Sequence, residues 1–172
     1  AVRVPVANRL GAENRGWTVA KSLLGDERLF VSRVAENKRC LGLVRSALRE
    51  QPGCEHLRQR ADALEVRLEA LEATSLRILT GADSGEQIGA EPSMLKLKGS
   101  QLVQAMDELL FEFAGYWVMP RDSGNTQQSS VGPASLEYVA SGTYHHRGYT
   151  IAGGATEVQR NIIAKQVLNL PT

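Results

Sequence analysis

The sequence predicts an all-α fold, an antiparallel up-and-down bundle of helices. Apolar residues recur at intervals of three and four over long stretches, which is the spacing of one helix face. Short breakers rich in glycine and proline separate these stretches. Helices of this length cannot bury their apolar faces alone, so we expect them to pack against one another. With 172 residues, 42% of them hydrophobic, the chain can form one domain with a sizeable core.

The start of the chain has a different pattern. Valines alternate with other residues over the first six positions, which is the period of a strand. Pro5 lies among them and favours the edge of a sheet. Residues 1–15 are therefore predicted to be a linker or the tail of a preceding β-domain, and residues 16–172 the helical bundle. We expect the chain to be part of a longer protein.

The first two predicted helices are long. The first begins near Trp17 and runs to about Glu50, where Gln-Pro-Gly ends it because proline disfavours helix in the preceding residue. The second covers Glu55 to Leu79, where leucine and alanine recur among glutamate and arginine. A coiled coil is the alternative for this second stretch, but a few heptads with loose register favour a bundle helix.

Three further helices are predicted. One starts at Pro92, since proline suits the first turn of a helix. The polar stretch 119–134 is predicted to be a loop, and a short helix around 135–140 follows it. The last helix comes after the glycine pair at 153–154 and ends near Leu168.

Composition excludes two classes of protein. Twenty basic and nineteen acidic residues leave a net charge of +1, with no long basic run, so the sequence does not favour a nucleic-acid-binding protein. No apolar run approaches the roughly 20 residues of a membrane span. The first residues also lack the apolar core of a secretory signal, so a cytoplasmic protein is predicted.

Residue spacing gives no support to a metal site. Cys40 and Cys54 lack ligand spacing and are predicted to be reduced structural residues. His56, His145 and His146 form no metal set and are predicted to be solvated residues of loops or helix ends.

Side chains outside these groups are given ordinary roles. Lys96 and Lys98 are predicted to project to solvent or to a partner chain. The large apolar residues are predicted to be core residues rather than cofactor contacts: Met94, Met106, Trp17 and Trp117.

Glu27 is a candidate catalytic base because it lies on an apolar helix face. The other residues of that face are Ala20, Leu23, Leu24, Val31 and Val34. Burying an unpaired carboxylate raises its pKa, and a general base that works near neutral pH requires a raised pKa. The alternative is that Glu27 lies at the edge of the face and pairs with a lysine or arginine of another helix.

The pair Gly153 and Gly154 is a candidate anion site. Flexible backbone before a helix start presents free N–H groups that suit a pyrophosphate. A simple tight turn is the alternative, since the pair matches neither common phosphate-binding motif. Thr156 and Gln159 have the spacing of a capping box for the helix that follows.

Two segments resemble the acyl-CoA dehydrogenase family. Residues 153–171, GGATEVQRNIIAKQVLNLP, resemble its C-terminal signature, in which a glycine-rich turn leads into a helix. Residues 2–29 are similar to the family's junction between its middle β-domain and its C-terminal bundle, and the two segments agree in order and spacing. The sequence between them resembles bacterial members such as the large subunit of pimeloyl-CoA dehydrogenase.

The resemblance implies the fold of the family's C-terminal helical domain and an FAD-dependent oxidoreductase. Such enzymes remove hydrogens from the α and β carbons of an acyl-CoA: a carboxylate takes the α-proton and the flavin accepts a hydride. Electrons then pass to an electron-transferring flavoprotein, and subunits assemble into homo- or hetero-oligomers. The 172 residues alone are expected to be inactive, because the middle domain that supports the flavin ring lies outside them.

The resemblance also assigns roles to residues of this chain. Many members carry the base just before the signature glycine, a position that is Gly153 here. In other branches the base lies in the first helix of the domain, inside a stretch that ends in Glu-Arg, which implies Glu27 as the base and Arg28 as a residue near the acyl-CoA site. Gly154, Ala155, Thr156 and Glu157 are implied to contact the flavin.

Two departures from the family pattern leave a second function open. An RxxFG motif that touches FAD across the dimer is replaced by REQPG, and a QxxGG turn by the polar stretch 119–134. In this second function the chain is a non-catalytic structural subunit of a heteromeric acyl-CoA dehydrogenase. A free-standing helical binding module is a third alternative, and the strand-like start argues against it.

Overall fold

A computed structural model describes residues 1–30, 32–49, 51–85, 88–118, 136 and 139–171, without the side chains of residues 24–30. Six α-helices lie in these ranges: α1 Gly16–Phe30, α2 Val34–Leu48, α3 Glu55–Asp83, α4 Glu91–Ala114, α5 Val139–Arg147 and α6 Thr156–Gln166. The described residues contain no strand. The all-α fold class is therefore confirmed.

Helix α4 is the centre of the bundle, because it packs against all five other helices. Its fully buried apolar residues are Leu95, Leu102, Val103, Met106 and Leu109. Leucines of α3 such as Leu68 and residues of α2 such as Val44 complete this core. Because neighbours surround α4, its buried surface also takes in polar residues, among them Lys96 and Asp107.

The first predicted helix is broken in two. Helix α1 ends at Phe30 and α2 begins at Val34, and Arg33 between them is left-handed with φ of 51°. A right-handed helix cannot continue through such a residue. The Arg33 guanidinium lies 3.6 Å from the ring centroid of Tyr149, and its Nη1 donates to Glu36 at 2.5 Å. One distant contact and one local contact therefore stabilise the break.

A glycine of α4 receives this junction. A Cβ at Gly99 would collide with the backbone carbonyl of Ser32, so only glycine permits the close approach. Asn37 of α2 is fully buried, and its side-chain amide donates to the Gly99 carbonyl at 3.3 Å and to the Arg33 carbonyl at 3.0 Å. The end of α1 is thus fixed to the N-terminal half of α4.

The other helices follow the sequence predictions with shifted ends. Helix α3 continues beyond Leu79 to Asp83, and α4 begins one residue before Pro92. Helix α5 lies later in the chain than the predicted range 135–140, and the predicted loop 119–134 falls outside the described residues.

Thr156 and Gln159 do not form the predicted capping box. The N-cap residue of α6 is Ala155, which makes Thr156 the first helical residue. The Thr156 hydroxyl donates instead to the Thr150 carbonyl at 3.3 Å, and the Gln159 side chain donates to the Gly153 carbonyl at 3.4 Å.

Residues 1–15 contain a 3-10 turn at Val6–Asn8, and the side chains of Val2 and Val4 are exposed. Whether this segment continues the sheet of a preceding domain stays a prediction. Within the described ranges, every helix is too short or too polar to cross a membrane.

Candidate functional site

Residues 148–155 form a compact turn before α6, and we call them the glycine turn. The amides of Ile151 and Ala152 both donate to the Gly148 carbonyl, at 3.0 and 2.9 Å, and the Gly154 amide donates to the Ile151 carbonyl at 3.0 Å. Gly153 and Gly154 have φ of 71° and 103°, values that side chains disfavour. The sequence therefore needs glycine at these positions to make the turn.

Lys96 of α4 holds the glycine turn from the interior of the bundle. Its side chain is fully buried, and Nζ donates to the Thr150 carbonyl at 3.3 Å and to the Gly154 carbonyl at 2.7 Å. Burial lowers the pKa of Lys96, and the negative charge of Glu157 offsets this only in part. The prediction that Lys96 faces solvent is wrong, whereas Lys98 is exposed as predicted.

Gln159 of α6 is the second buried side chain under the turn. Its amide nitrogen donates to the Gly153 carbonyl, and a Cβ at Gly154 would collide with that nitrogen. Its side-chain oxygen has no hydrogen-bond partner among the described residues. Gly154 is thus constrained twice, by its φ and by the space that Gln159 occupies.

The start of α6 offers backbone donors. The first amides of a helix have no intrahelical partner, and the positive end of the helix dipole lies there. This arrangement suits an anion or the polar edge of a flavin. Ala155 adds no hydroxyl, and the exposed carboxylate of Glu157 adds negative charge, so the backbone N–H groups are the part of this turn that fits the cofactor. Contact of residues 154–157 with a flavin stays a prediction.

A second polar group, the His146 cluster, joins α2, α4 and α5 and includes Tyr149 from the start of the glycine turn. It consists of His146, Asp107, Glu36, Arg33 and Tyr149. His146 Nδ1 lies 2.7 Å from Asp107 Oδ2, and Nε2 lies 3.2 Å from Glu36 Oε1. An ionised carboxylate only accepts hydrogen bonds, so the ring satisfies both partners when each nitrogen carries a hydrogen. The side chains of His146 and Asp107 are each 8% exposed.

This cluster corrects the prediction for the histidines. His56 and His145 are exposed, but His146 is buried because the last turn of α5 packs on α4 and meets Asp107 there. Burial raises the pKa of Asp107, although the hydrogen bond and charge of His146 lower it in part. Sequence spacing could not reveal a partner that is 39 residues away.

Glu27 and Arg28 lie in α1, where the structure describes the helix but not these side chains. Their predicted helical setting is confirmed, and α1 packs against α4. Their side-chain contacts are outside the described part of the chain. The roles of Glu27 as base and of Arg28 at the acyl-CoA site stay predictions.

The cysteines and tryptophans belong to neither polar group. Cys40 and Cys54 form no disulfide, and burial raises the pKa of the Cys40 thiol to about 11. Met106 is a core residue as predicted. Trp17 and Trp117 are exposed by 72% and 50%, so the prediction of a core role is wrong for both. Within the described residues no set of histidine, cysteine and carboxylate side chains could hold a metal ion.

An apolar groove of about 260 Å³ lies between α3 and α4. Its lining includes Leu71, Leu95 and Leu102 together with the cationic side chains of Arg67 and Lys98. None of its lining residues belongs to the glycine turn or to the His146 cluster.

Known proteins match almost the whole length of this chain. The family profile described as "Acyl-CoA dehydrogenase, C-terminal domain" matches residues 14–168. Acyl-CoA dehydrogenase FadE26 of Mycobacterium tuberculosis is 28% identical over 184 residues, which cover 99% of this chain and 44% of that protein. The chain therefore spans less than half the length of this relative.

Two solved structures have the same fold. A chain of the ChsE4–ChsE5 complex from Mycobacterium tuberculosis matches with a TM-score of 0.76 and 28% identity, covering 98% of this chain and 44% of that one. A variant of the Tcur3481–Tcur3483 steroid ACAD matches with a TM-score of 0.77 and 23% identity, covering 99% of this chain and 44% of that one.

Proposed function

The chain belongs to the acyl-CoA dehydrogenase family as its C-terminal domain, and we propose that it forms the flavin- and substrate-facing helical part of an FAD-dependent dehydrogenase of acyl-CoA thioesters. The reaction is α,β-dehydrogenation. Bound FAD would supply the hydride acceptor, and an electron-transferring flavoprotein would take the electrons onward. This chain would contribute the base and part of the cofactor contact.

In this proposal Glu27 takes the α-proton and Arg28 lies near the acyl-CoA. Residues 154–157 contact the flavin, chiefly through the free backbone amides at the start of α6. Gly153 has no side chain, so a base from the glycine turn is excluded at the position where many family members carry one. The carboxylate must then come from elsewhere, and Glu27 matches the alternative family position.

The observation that carries the proposal is a shared support on α4. Lys96 bonds the glycine turn, and Gly99 receives the backbone at Ser32, just after the helix that carries Glu27. Three helix residues rise by only about 4.5 Å. The α1 end and the glycine turn therefore approach neighbouring positions of α4, which supports a single site that combines base and flavin contact.

The second candidate is a non-catalytic structural subunit of a heteromeric acyl-CoA dehydrogenase. The replaced RxxFG and QxxGG motifs favour it, because they would remove flavin contacts from this subunit. The similar ChsE4–ChsE5 structure is itself a complex of two named subunits. Both candidates therefore include an oligomer, and they differ in which subunit supplies the base. The cytoplasmic location stays a prediction from the sequence.

Replacing Glu27 with glutamine in the full-length protein tests the base. The amide cannot accept the α-proton, so we expect turnover to fall by about 10²- to 10⁴-fold while FAD stays bound. The measurement is acyl-CoA-dependent bleaching of the flavin absorbance, with FAD content determined on the same sample. Asp26→Asn is the matched control, since it removes the adjacent carboxylate, and it should bleach as the unaltered protein does.

The outcome also separates the two candidates. Undiminished turnover in the Glu27→Gln variant, measured with every partner subunit present, would remove Glu27 from the mechanism. If the partner subunit alone then holds the FAD and oxidises the acyl-CoA, the structural-subunit function is correct.

A further inference from the structure

Lys96 is a buried cation without a carboxylate partner among the described residues. Its ammonium group meets two backbone carbonyls, those of Thr150 and Gly154, and the charge of Glu157 reaches it only at longer range. Burying a charge is costly, and such groups are rarely fully buried unless they are paired. An apolar side chain of the same length would fill the space without that cost. The lysine must therefore contribute something that an apolar side chain cannot.

The two carbonyls lie on either side of the bend. Thr150 precedes the glycine pair, and Gly154 is its second member, so one ammonium group bridges both ends of the bend. The Thr150 carbonyl also accepts from the Thr156 hydroxyl, and Gln159 holds the carbonyl between them. Carbonyl oxygens repel an anion. Buried donors occupy these carbonyls, and the first amides of α6, which lack intrahelical partners, stay available to an anion.

We propose that Lys96 is a positioning residue that fixes the glycine turn, and with it the start of α6, in the conformation that contacts the flavin. The flavin contact rests on the proposed function. The fixing of the turn does not, because it follows from hydrogen bonds within this chain.

A purely structural lysine would make a different prediction. It would stabilise the bundle as a whole, so its loss would loosen α3 and α4 together with the turn. A positioning lysine affects the turn alone. Lys96→Met separates the two, because methionine keeps an unbranched apolar stem and removes only the charge and the donors.

The test is amide hydrogen exchange on the full-length protein in its native assembly. In Lys96→Met the amides of Ile151, Ala152 and Gly154 should exchange at least about 10-fold faster, while the core amides of α3 keep their rates. In Lys96→Gln the turn amides should exchange at rates between those of the unaltered protein and those of Lys96→Met, since the shorter amide side chain can restore one of the bonds. Lys98→Met is the matched control: it removes an exposed lysine of the same helix and should change neither region.

The second readout is the dissociation constant for FAD, which should rise by about 10-fold in Lys96→Met and less in Lys96→Gln. Unchanged exchange in the turn would overturn the proposal. So would an equal increase across α3 and α4, which would make Lys96 a stabiliser of the bundle. Faster exchange confined to the turn, with the FAD dissociation constant unchanged, would uphold the positioning of the turn and contradict the flavin contact of the proposed function.

Discussion

Lys96 and Asp107 are both buried charged residues of α4, about three helical turns apart, but their surroundings differ. Asp107 faces His146, which faces Glu36, and Glu36 binds Arg33, so each charged side chain has a side-chain partner. Among the described residues, Lys96 donates to carbonyl oxygens of the glycine turn and to no carboxylate. One group pairs its side chains with one another and joins three helices, whereas the other is a cation that holds a turn through backbone carbonyls.

This contrast indicates which of the two buried groups is a candidate for function. A cluster whose side chains are paired offsets part of its desolvation, and removing one partner lowers the stability of the fold. A cation that meets only carbonyls and a more distant carboxylate offsets less of this cost, and burial lowers the pKa of Lys96 accordingly. Titratable groups with a shifted pKa, at a turn next to a helix start, are typical of functional sites. We therefore expect variants of the His146 cluster to lower the stability of the whole fold more than variants of the glycine turn do.

Asp107→Ala should have the largest effect on stability. It leaves His146 with Glu36 alone, in a site where the ring is almost fully buried, and breaking such a pair costs about 3 kcal/mol. Urea unfolding of the 172-residue chain, followed by circular dichroism, measures the loss. Glu108→Ala is the control: Glu108 is the next residue and pairs with Arg147 at the surface, so its loss should cost less than about 1 kcal/mol. Equal losses in the two variants would contradict the structural role of the cluster.

Gly154→Ala should cost less, about 2 kcal/mol, because an alanine at φ of 103° is strained and its Cβ would displace the Gln159 side chain. The same unfolding measurement applies. Gly148→Ala provides the control in the same turn, since a Cβ there meets open space, and it should change the unfolding free energy by less than about 0.5 kcal/mol. If the alanine at 154 were tolerated as well as the one at 148, the rigid form of the turn would be wrong.

The sequence predicted what depends on local pattern. The all-α class, the course of α3 and the start of α4 near Pro92 follow from apolar spacing and from proline. The glycine pair marked the turn because both positions need positive φ. The break at Arg33 left no such mark, since the residues around it contain neither glycine nor proline. It depends on contacts with Tyr149, far along the chain.

Both buried polar groups escaped prediction for one reason. A single helix pattern treats lysine and histidine as exposed residues, but five helices surround α4 and bury a wide part of its surface. A weak signal existed: Lys96 lies three positions after Ser93 and three before Gly99, and these small residues are buried too. Small residues on both sides of a lysine, at helical spacing, mark a face on which another segment packs closely. The role of Glu27 as base is predicted from an apolar face and a family position, and the contacts of its side chain lie outside the described part of the chain.

The smallest expected effect is an opposite pH dependence of two carboxyls within the His146 cluster. Burial alone would raise the pKa of Glu36, but hydrogen bonding to Arg33 and the charges of Arg33 and His146 outweigh it, so the pKa lies below its usual 4.5. The unfolded chain then takes up the proton first, and the stability from Glu36 is lost as pH falls below 4.5. Burial holds the pKa of Asp107 above its usual 3.8. As pH rises above 3.8 the unfolded chain therefore releases the proton before the folded chain does, and stability is lost.

Urea unfolding of the Glu36→Gln and Asp107→Asn variants between about pH 3 and pH 6 measures both signs. The difference in unfolding free energy between the unaltered chain and Glu36→Gln should shrink as pH falls, because the lost contribution vanishes there. The difference in unfolding free energy between the unaltered chain and Asp107→Asn should grow as pH falls over the same range. Glu36 is 22% exposed, so solvent screens its contribution and keeps the first change modest. Two differences that change in the same direction would contradict the opposite shifts of the two pKa values.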